Sequence, residues 1–467
     1  MAGLTSPEPT KPDPPGAVLW FVRRLESAGY ETWAVGGAVR DSLLGTPSDD
    51  WDLATRATPA EVQRLFRRTI PIGVDHGTVG VLSGDGVLYE VTTFRRDIET
   101  TGRHAVVEFA ETLEEDLARR DFTINAIAWH PLREVLRDPF EGRADLTRGL
   151  LRTVGSPSER FAEDYLRILR ALRFAGTYQL VIEADTWRAL TAAVEHTKEL
   201  SPERLREELE RVLGGETQPS RSLSLYAASG VLAVLFPELD GVVGRVRGHA
   251  GDWYAHSLRV IDMLPSHRTA LRWAALFQAT GEIPGSMGAG EEGREEGERA
   301  LLRTAAVLER LRSSNAMIRR VAELARWIAR APDPDASDET LRRWLSASGR
   351  PALTSLLRIW IACVRSDESV AAADPASGGP DGLRRSELLR LYRRLRAISR
   401  SGAPLDVKEL SISGRELIQM GYSPGPEFGE LLDHLLDRTL EDPRLNTTGL
   451  LSEEARQWMA EKERSHS

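Results

Sequence analysis

Residues 35–55 read VGGAVRDSLLGTPSDDWDLAT, and the fold is decided there. The β-branched and apolar run Thr32 to Val35 predicts a strand, Gly36-Gly37 a turn, and AVRDSLL a helix that Gly45-Thr46-Pro47 stops. Lacking side chains, Gly36 and Gly37 let backbone N–H groups approach a polyphosphate. The helix N-terminus adds partial positive charge, and Arg40 follows one turn in. Asp50 and Asp52 flank Trp51 and run into Leu53-Ala54, so an extended backbone points both carboxylates to one face of a sheet. Two such carboxylates can hold Mg2+, with substrate phosphate completing its shell, which fits metal-dependent nucleotide transfer. Asp50 and Asp52 are the expected catalytic metal ligands. DWD alone reads as an acidic turn solvating a loop; the preceding GGAVRD reverses that reading.

Further along, EDYLRILRALRF places Asp164, Arg167, Arg170 and Arg173 three apart, each one turn from the next, with Leu166, Leu169 and Leu172 on another face. A carboxylate beside a guanidinium offers an acceptor next to donors. That order matches the exocyclic amine and ring-nitrogen acceptor shared by cytosine and adenine, whereas uracil and guanine present the reverse. Asp164 and Arg167 are therefore the expected base selector, with Arg170 and Arg173 contacting phosphate or bracing that pair. Taken alone the helix reads as an ordinary salt-bridged surface. In LEEDLARRDFTINAIA, Arg119, Arg120 and Asp121 fall at a strand or turn edge, where Asp121 could accept hydrogen bonds from ribose hydroxyls. Glu90, on a strand with Leu88 and Thr92, is a candidate third acid.

These segments together resemble the class II tRNA nucleotidyltransferase and poly(A) polymerase family of the polymerase β superfamily. GGAVRD begins at Gly36, DWD at Asp50, RRDFTINA at Arg119 and EDYLRILRALRF at Glu163; SPERLREEL from Ser201, ISGRELIQMGYSPGPEFGELL from Ile412 and LNTTGLL from Leu445 are also similar to family segments. The resemblance implies addition of CCA to the 3′ end of tRNA from CTP and ATP, without a nucleic-acid template. Gly36, Gly37, Arg40, Arg120, Asp121, Asp164, Arg167, Arg170 and Arg173 are the implied nucleotide-binding residues. It also implies that residues 95–112 are the loop used in switching from C to A addition. Ala105 stands where the family often has proline, and a tyrosine is missing upstream, which keeps an A-adding or poly(A)-adding enzyme open as the alternative. A non-catalytic RNA-binding relative would have a broken DxD, and here Asp50 and Asp52 are intact. DWYAHSLRVID followed by LRWAALFQATGE resembles the metal-dependent phosphohydrolase module of some relatives, but Gln278-Ala279 replace its His-Asp pair, leaving His256 a structural role.

At 467 residues the chain can bury several cores. The expected fold is α+β: a small mixed or antiparallel β-sheet nucleotidyltransferase head, then an elongated all-α body. The expected domains are a disordered tail (1–16), the head (17–150), a helical base-recognition neck (151–215), a helical body with the degenerate phosphohydrolase-like region (216–370) and a helical tRNA-binding tail (384–467). Gly77–Leu82 and Val87–Thr93 flank Ser83-Gly84-Asp85-Gly86, a hairpin signal. Segments 281–299 and 371–382, rich in glycine, proline and charge, read as loops or linkers. A net charge of −9 requires that any RNA contact be a local stripe. The seven arginines of helix 384–400 could track tRNA phosphates or simply face solvent; four lysines among 61 basic residues mean that arginine abundance reflects overall composition. The single Cys363 cannot form an internal disulfide, which fits a cytoplasmic location. The proline-rich start has no apolar core of a signal peptide, and no apolar run is long enough for a membrane span; no obligate protein partner is implied.

Overall fold

The structure is a computed structural model and describes residues 11–73, 76–101, 104–245, 252–278, 291–328, 330–373 and 384–465. Helix α1 (Gly16–Ser27) turns Val18, Phe21, Val22 and Leu25 inward, then the predicted strand, glycine turn and helix form as β1 (Thr32–Val35) and α2 (Gly37–Leu43). Strand β2 (Asp52–Thr55) pairs antiparallel with β1, and α3 (Pro59–Leu65) is capped by Thr58 and Glu61. Strands β3 (Thr69–Gly73), β4 (Thr78–Leu82) and β5 (Leu88–Thr93) follow. The predicted hairpin joins β4 to β5, closed by the Ser83 N–H donating to the Val87 carbonyl at 2.8 Å.

A second hairpin, β6 (Arg95–Thr101) with β7 (His104–Phe109), stands as its own two-stranded sheet, and α4 (Leu113–Ala118) leads to β8 (Ala128–His130) and β9 (Val135–Arg137). The main sheet has the order β3-β4-β5-β2-β1-β8-β9, with β2 parallel to β5 and every other pair antiparallel. Its strands alternate between two cores. Ala34 and Leu53 face a cluster built around Phe21, Val39 and Val91; Trp33, Val35 and Ala54 face one built around Phe94, Leu117 and Ala126. A side chain such as Phe21 or Leu53, fully buried there, contributes roughly 1.5–3 kcal/mol.

After α5 (Gly142–Arg148) and β10 (Leu150–Leu151) the chain becomes helical: α6 (Pro157–Glu163), α7 (Leu166–Tyr178), then, after β11 (Val181–Ile182) pairs parallel with β10, α8 (Ala184–Ala192) and α9 (Pro202–Gly215). Two compact units result. One runs to Val212 and takes in Gln218–Phe236; the other comprises Leu213–Thr217 and everything from Pro237. The second is helical throughout its described length, so the expected sheet head and all-helical body are both present.

One expectation needs correction. Residues 291–299, read as linker, begin the helix Glu291–Arg310; only 281–290 lie outside the described residues. The glycine that suggested a loop is a packing residue: a Cβ on Gly297 would come within 2.7 Å of the Arg326 carbonyl, so its absence allows close contact with helix Asn315–Ile328. Ala300, Val307, Leu308 and Leu311 complete the buried stripe. Of 371–382, the first three residues end helix Leu353–Ala373 and the rest lie outside the described residues. No helix among the described residues is long and apolar enough to cross a membrane.

Candidate active site

A cleft of about 580 Å3 in the first unit gathers Gly36, Gly37, Arg40, Asp50, Asp52, Arg120, Asp121, Asp164, Arg167 and Arg170; of the expected site residues only Arg173 is absent from its lining. Trp51 anchors its acidic end. Its ring is buried and its Nε1 donates to the Ser48 carbonyl at 2.8 Å, leaving Asp50 and Asp52 turned the other way, toward the cleft. Because Leu53 pairs with Val91 in register, Glu90 lies beside Asp52 on the adjoining strand. Burial, then the charges of Asp50 and Glu90, push the Asp52 carboxyl up to about 7, with Arg120 pulling the other way. Crowded carboxylates of this kind are relieved by a cation, and their oxygen donors suit a hard one. Among the described residues no three His, Cys, Asp or Glu side chains make a metal centre by themselves, so substrate phosphate and water would have to share the coordination.

Gly36 has φ +77°, and a Cβ on it would stand 3.2 Å from Arg120 Nη1 and 3.7 Å from Asp52 Oδ2. Any side chain there would fill the space where a triphosphate could meet both groups. Arg120 is held from behind by Asp116, whose buried carboxylate accepts from Arg120 Nη2 and Arg119 Nε, each at 3.1 Å. Burial raises the Asp116 carboxyl, but Arg120 and Arg119 outweigh it and hold it below the ordinary range.

Three expected roles change. Arg40 is 5% exposed and already occupied: Nε donates to Asp41 at 2.9 Å, Nη1 to Asn125 at 2.5 Å and Nη2 to the Tyr178 hydroxyl at 2.5 Å, with the Tyr178 ring 4.4 Å away. It latches α2 to the end of α7 while still lining the cleft. Asp121 has no capacity left for ribose hydroxyls. Its Oδ1 accepts from the Phe122 N–H and Asn125 Nδ2, and its Oδ2 from Arg170 Nε and Nη2, four donors for about four lone-pair sites. Arg173, finally, donates to buried Glu208 at 2.7 Å and covers the Phe174 ring, so it ties α7 to α9 and does not line the cleft.

Burial opposes ionisation of Asp121, but Arg170, Asn125 and Arg167 bring its carboxyl down to about 2. A depressed carboxyl pKa stabilises the fold above its unfolded value near 4, and that contribution is lost as pH falls toward 2, roughly 2 kcal/mol in all. The stability gap between the wild type and Asp121→Asn should therefore narrow by about that amount from pH 6 to pH 2 in denaturant titrations. A gap that stays constant across this range would show that the Asp121–Arg170 pair is not ionic.

The expected base selector is assembled differently from the four-residue stripe. Asp164 is extended (φ −157°, ψ 105°) and lies between α6 and α7, so only Arg167, Arg170 and Arg173 share a helix. The break is local chemistry: Asp164 Oδ1 accepts from the Leu166 N–H at 3.0 Å, an aspartate competing with the helix backbone at a helix start. Its Oδ2 accepts from Arg204 at 2.7 Å. Arg167 donates to Glu163 at 2.5 Å and to the carbonyls of Arg160 and Arg119 at 3.0 and 3.2 Å. Both side chains line the cleft, and each is tied to partners other than the other.

Sequence reading gave no role to Arg204, Asn125, Glu163, Asp116 or the Thr78–Thr92 hydroxyl pair, 3.0 Å apart, although Arg204, Asn125 and both threonines line the cleft; Arg95, on the expected switching loop, lines it too. Arg204 and Asn125 were in view, inside SPERLREEL and RRDFTINA, but nothing in their spacing tied them to Asp164 or Arg40. Arg103, in the same expected switching loop 95–112, lies outside the described residues.

In the second unit, the region resembling a phosphohydrolase holds a hydrogen-bonded plug. His256 is buried, its Nδ1 3.3 Å from both Ser366 Oγ and Asp367 Oδ1, while Gln278 donates to Ser257 and accepts from the Cys363 thiol. Ala279 lies outside the described residues. On helix Arg385–Arg400, Leu388, Leu391, Leu395 and Ile398 pack inward, and Arg390 and Arg394 reach Asp335 and Asp338.

A mixed sheet carrying a glycine turn and paired acids, sharing one cleft with the arginines of α7, defines a polymerase-type nucleotidyltransferase. Residues 32–152 match the Poly A polymerase head domain, and residues 179–242 the probable RNA and SrmB-binding site of polymerase A. The chain is 34% identical to the CCA-adding enzyme of Geobacillus stearothermophilus over 422 residues, covering 89% of this chain and 90% of that one. It is 33% identical to that of Geobacillus kaustophilus over 455 residues, covering 96% and 97%. The crystal structure of the Bacillus stearothermophilus CCA-adding enzyme in complex with CTP matches with a TM-score of 0.67 at 30% identity, over 96% of this chain and 98% of that one. The chain belongs to the family of CCA-adding enzymes.

Proposed function

We propose that this chain adds CCA to the 3′ end of tRNA from CTP and ATP, selecting each base with protein groups in place of a template. The observation carrying this is that one cleft holds both the acid pair and the Asp164–Arg167 pair. Asp50 and Asp52, with Glu90 adjoining, would hold Mg2+, which when bound neutralises triphosphate charge and eases ionisation of the attacking hydroxyl. Backbone N–H groups at Gly36 and Gly37, with Arg120 steadied by Asp116, face the phosphates. Asp164 accepts from the exocyclic amine of cytosine or adenine and Arg167 donates to the ring nitrogen. The RNA 3′ oxygen attacks the α-phosphorus, its bond to the bridging oxygen breaks, and pyrophosphate leaves.

In this reading residues 17–150 are the catalytic head, 151–215 the neck that reads the base, 216–370 the body and 384–467 the tail that grips tRNA, in a cytoplasmic setting. The test offers tRNA transcripts ending at the discriminator base, at C and at CC, with CTP or ATP supplied separately. CTP should extend the first two and ATP the third. Extension of the CC transcript by ATP with no C incorporation on the others would make this an A-adding enzyme instead.

A further inference from the structure

We propose that Arg204 is a positioning residue that sets base selectivity by fixing the carboxylate plane of Asp164. The inference rests on the reading of Asp164 and Arg167 as the base selector. Arg204 is the third residue of α9, in the helix's first turn, where the macrodipole disfavours a cation. Its Nη2 instead reaches Asp164, forty residues upstream on another element, at 2.7 Å. The terminal torsion of an aspartate is broad, so a single hydrogen bond would leave the carboxylate free to swing. Two donors, the Leu166 N–H on Oδ1 and Arg204 on Oδ2, hold it in one plane and leave each oxygen a lone pair for the ligand.

Plane matters because the discrimination is one of direction. A fixed acceptor rewards the amine of cytosine or adenine and repels the carbonyl oxygen at the same place in uracil or guanine; a swinging one does neither well. Pairing also keeps the Arg204 donors off that carbonyl oxygen, which they would otherwise attract. The two side chains are 27% and 26% exposed, so the Tm of each variant is needed to separate a change in selection from a loss of fold.

The experiment compares kcat/KM for CTP against UTP on a transcript ending at the discriminator base, and for ATP against GTP on one ending at CC. The wild type, Arg204→Gln, Arg204→Lys, Asp164→Ala and the Arg204→Gln/Asp164→Ala double variant are assayed, with the Tm of each recorded. Arg204→Gln should lose about tenfold in discrimination with its Tm unmoved, Arg204→Lys should recover part of it, and the double variant should be no less selective than Asp164→Ala. Equal falls for right and wrong nucleotides in Arg204→Gln, beside relaxed selection in Asp164→Ala, would overturn the role of Arg204 alone. Undiminished selection in Asp164→Ala would overturn the underlying reading as well.

Discussion

Asp52→Asn abolishes nucleotide incorporation while leaving tRNA binding in place. The amide keeps the size of the carboxylate and one acceptor oxygen but removes the charge that would hold a divalent ion against the triphosphate. Losing that support removes several kcal/mol from the transition state, so a fall of about a thousandfold or more in single-turnover rate is expected. Binding should survive because phosphate contacts govern RNA affinity, and the substitution removes a negative charge from a cleft already lined by arginines. The same side chain sets a pH limb. With its carboxyl near 7, Asp52 takes up a proton as pH falls from 8 to 6, and that proton competes with the cation. The Mg2+ concentration for half-maximal rate should rise by up to about tenfold per pH unit below 7. Incorporation by Asp52→Asn at the wild-type rate would remove the acid pair from the site.

The acid pair was legible because everything that shapes it is local. Strand alternation around Trp51, an aromatic that has to be buried, sends its two acidic neighbours to the opposite side. Gly36 was legible for the same reason: the residue types at Thr32–Val35 and Ala38–Leu44 mark a strand and a helix on its two sides. What spacing could not carry was competition for partners across elements. Arg40 looked like a phosphate ligand, and its ties to Tyr178, 138 residues away, and to Asn125 lay beyond any local pattern. Asp121 looked available until Arg170 and Asn125 filled its lone pairs. Asp164 kept the i, i+3 spacing of a helix although the Leu166 N–H drew it out of one. Gly297 misled in the opposite direction, since a glycine reads alike whether it breaks a helix or lets two pack closely.

Arg167→Ala relaxes base choice more than it weakens RNA binding. Arg167 is 13% exposed on its side chain, and three contacts aim it: the Glu163 carboxylate and the carbonyls of Arg160 and Arg119. Those contacts hold the guanidinium in a direction that suits a ring-nitrogen acceptor, which cytosine and adenine have and which uracil and guanine replace with an N–H. A donor–donor clash is then the penalty for the wrong base. Truncation removes both the reward and the clash, so kcat/KM for CTP and ATP should fall while that for UTP and GTP falls less or rises. A well-made contact of this type is worth roughly 1–3 kcal/mol, so the CTP-to-UTP ratio should drop by about 5- to 150-fold. Filter binding of tRNA should change little, because a side chain directed at the base neutralises no RNA phosphate. Arg167→Lys sharpens the test. An ammonium keeps the charge but lacks the planar fork, so it should restore rate more than selectivity. If the alanine variant lost RNA affinity while keeping its nucleotide preference, Arg167 would be a phosphate ligand, and base choice would have to be sought elsewhere in the cleft.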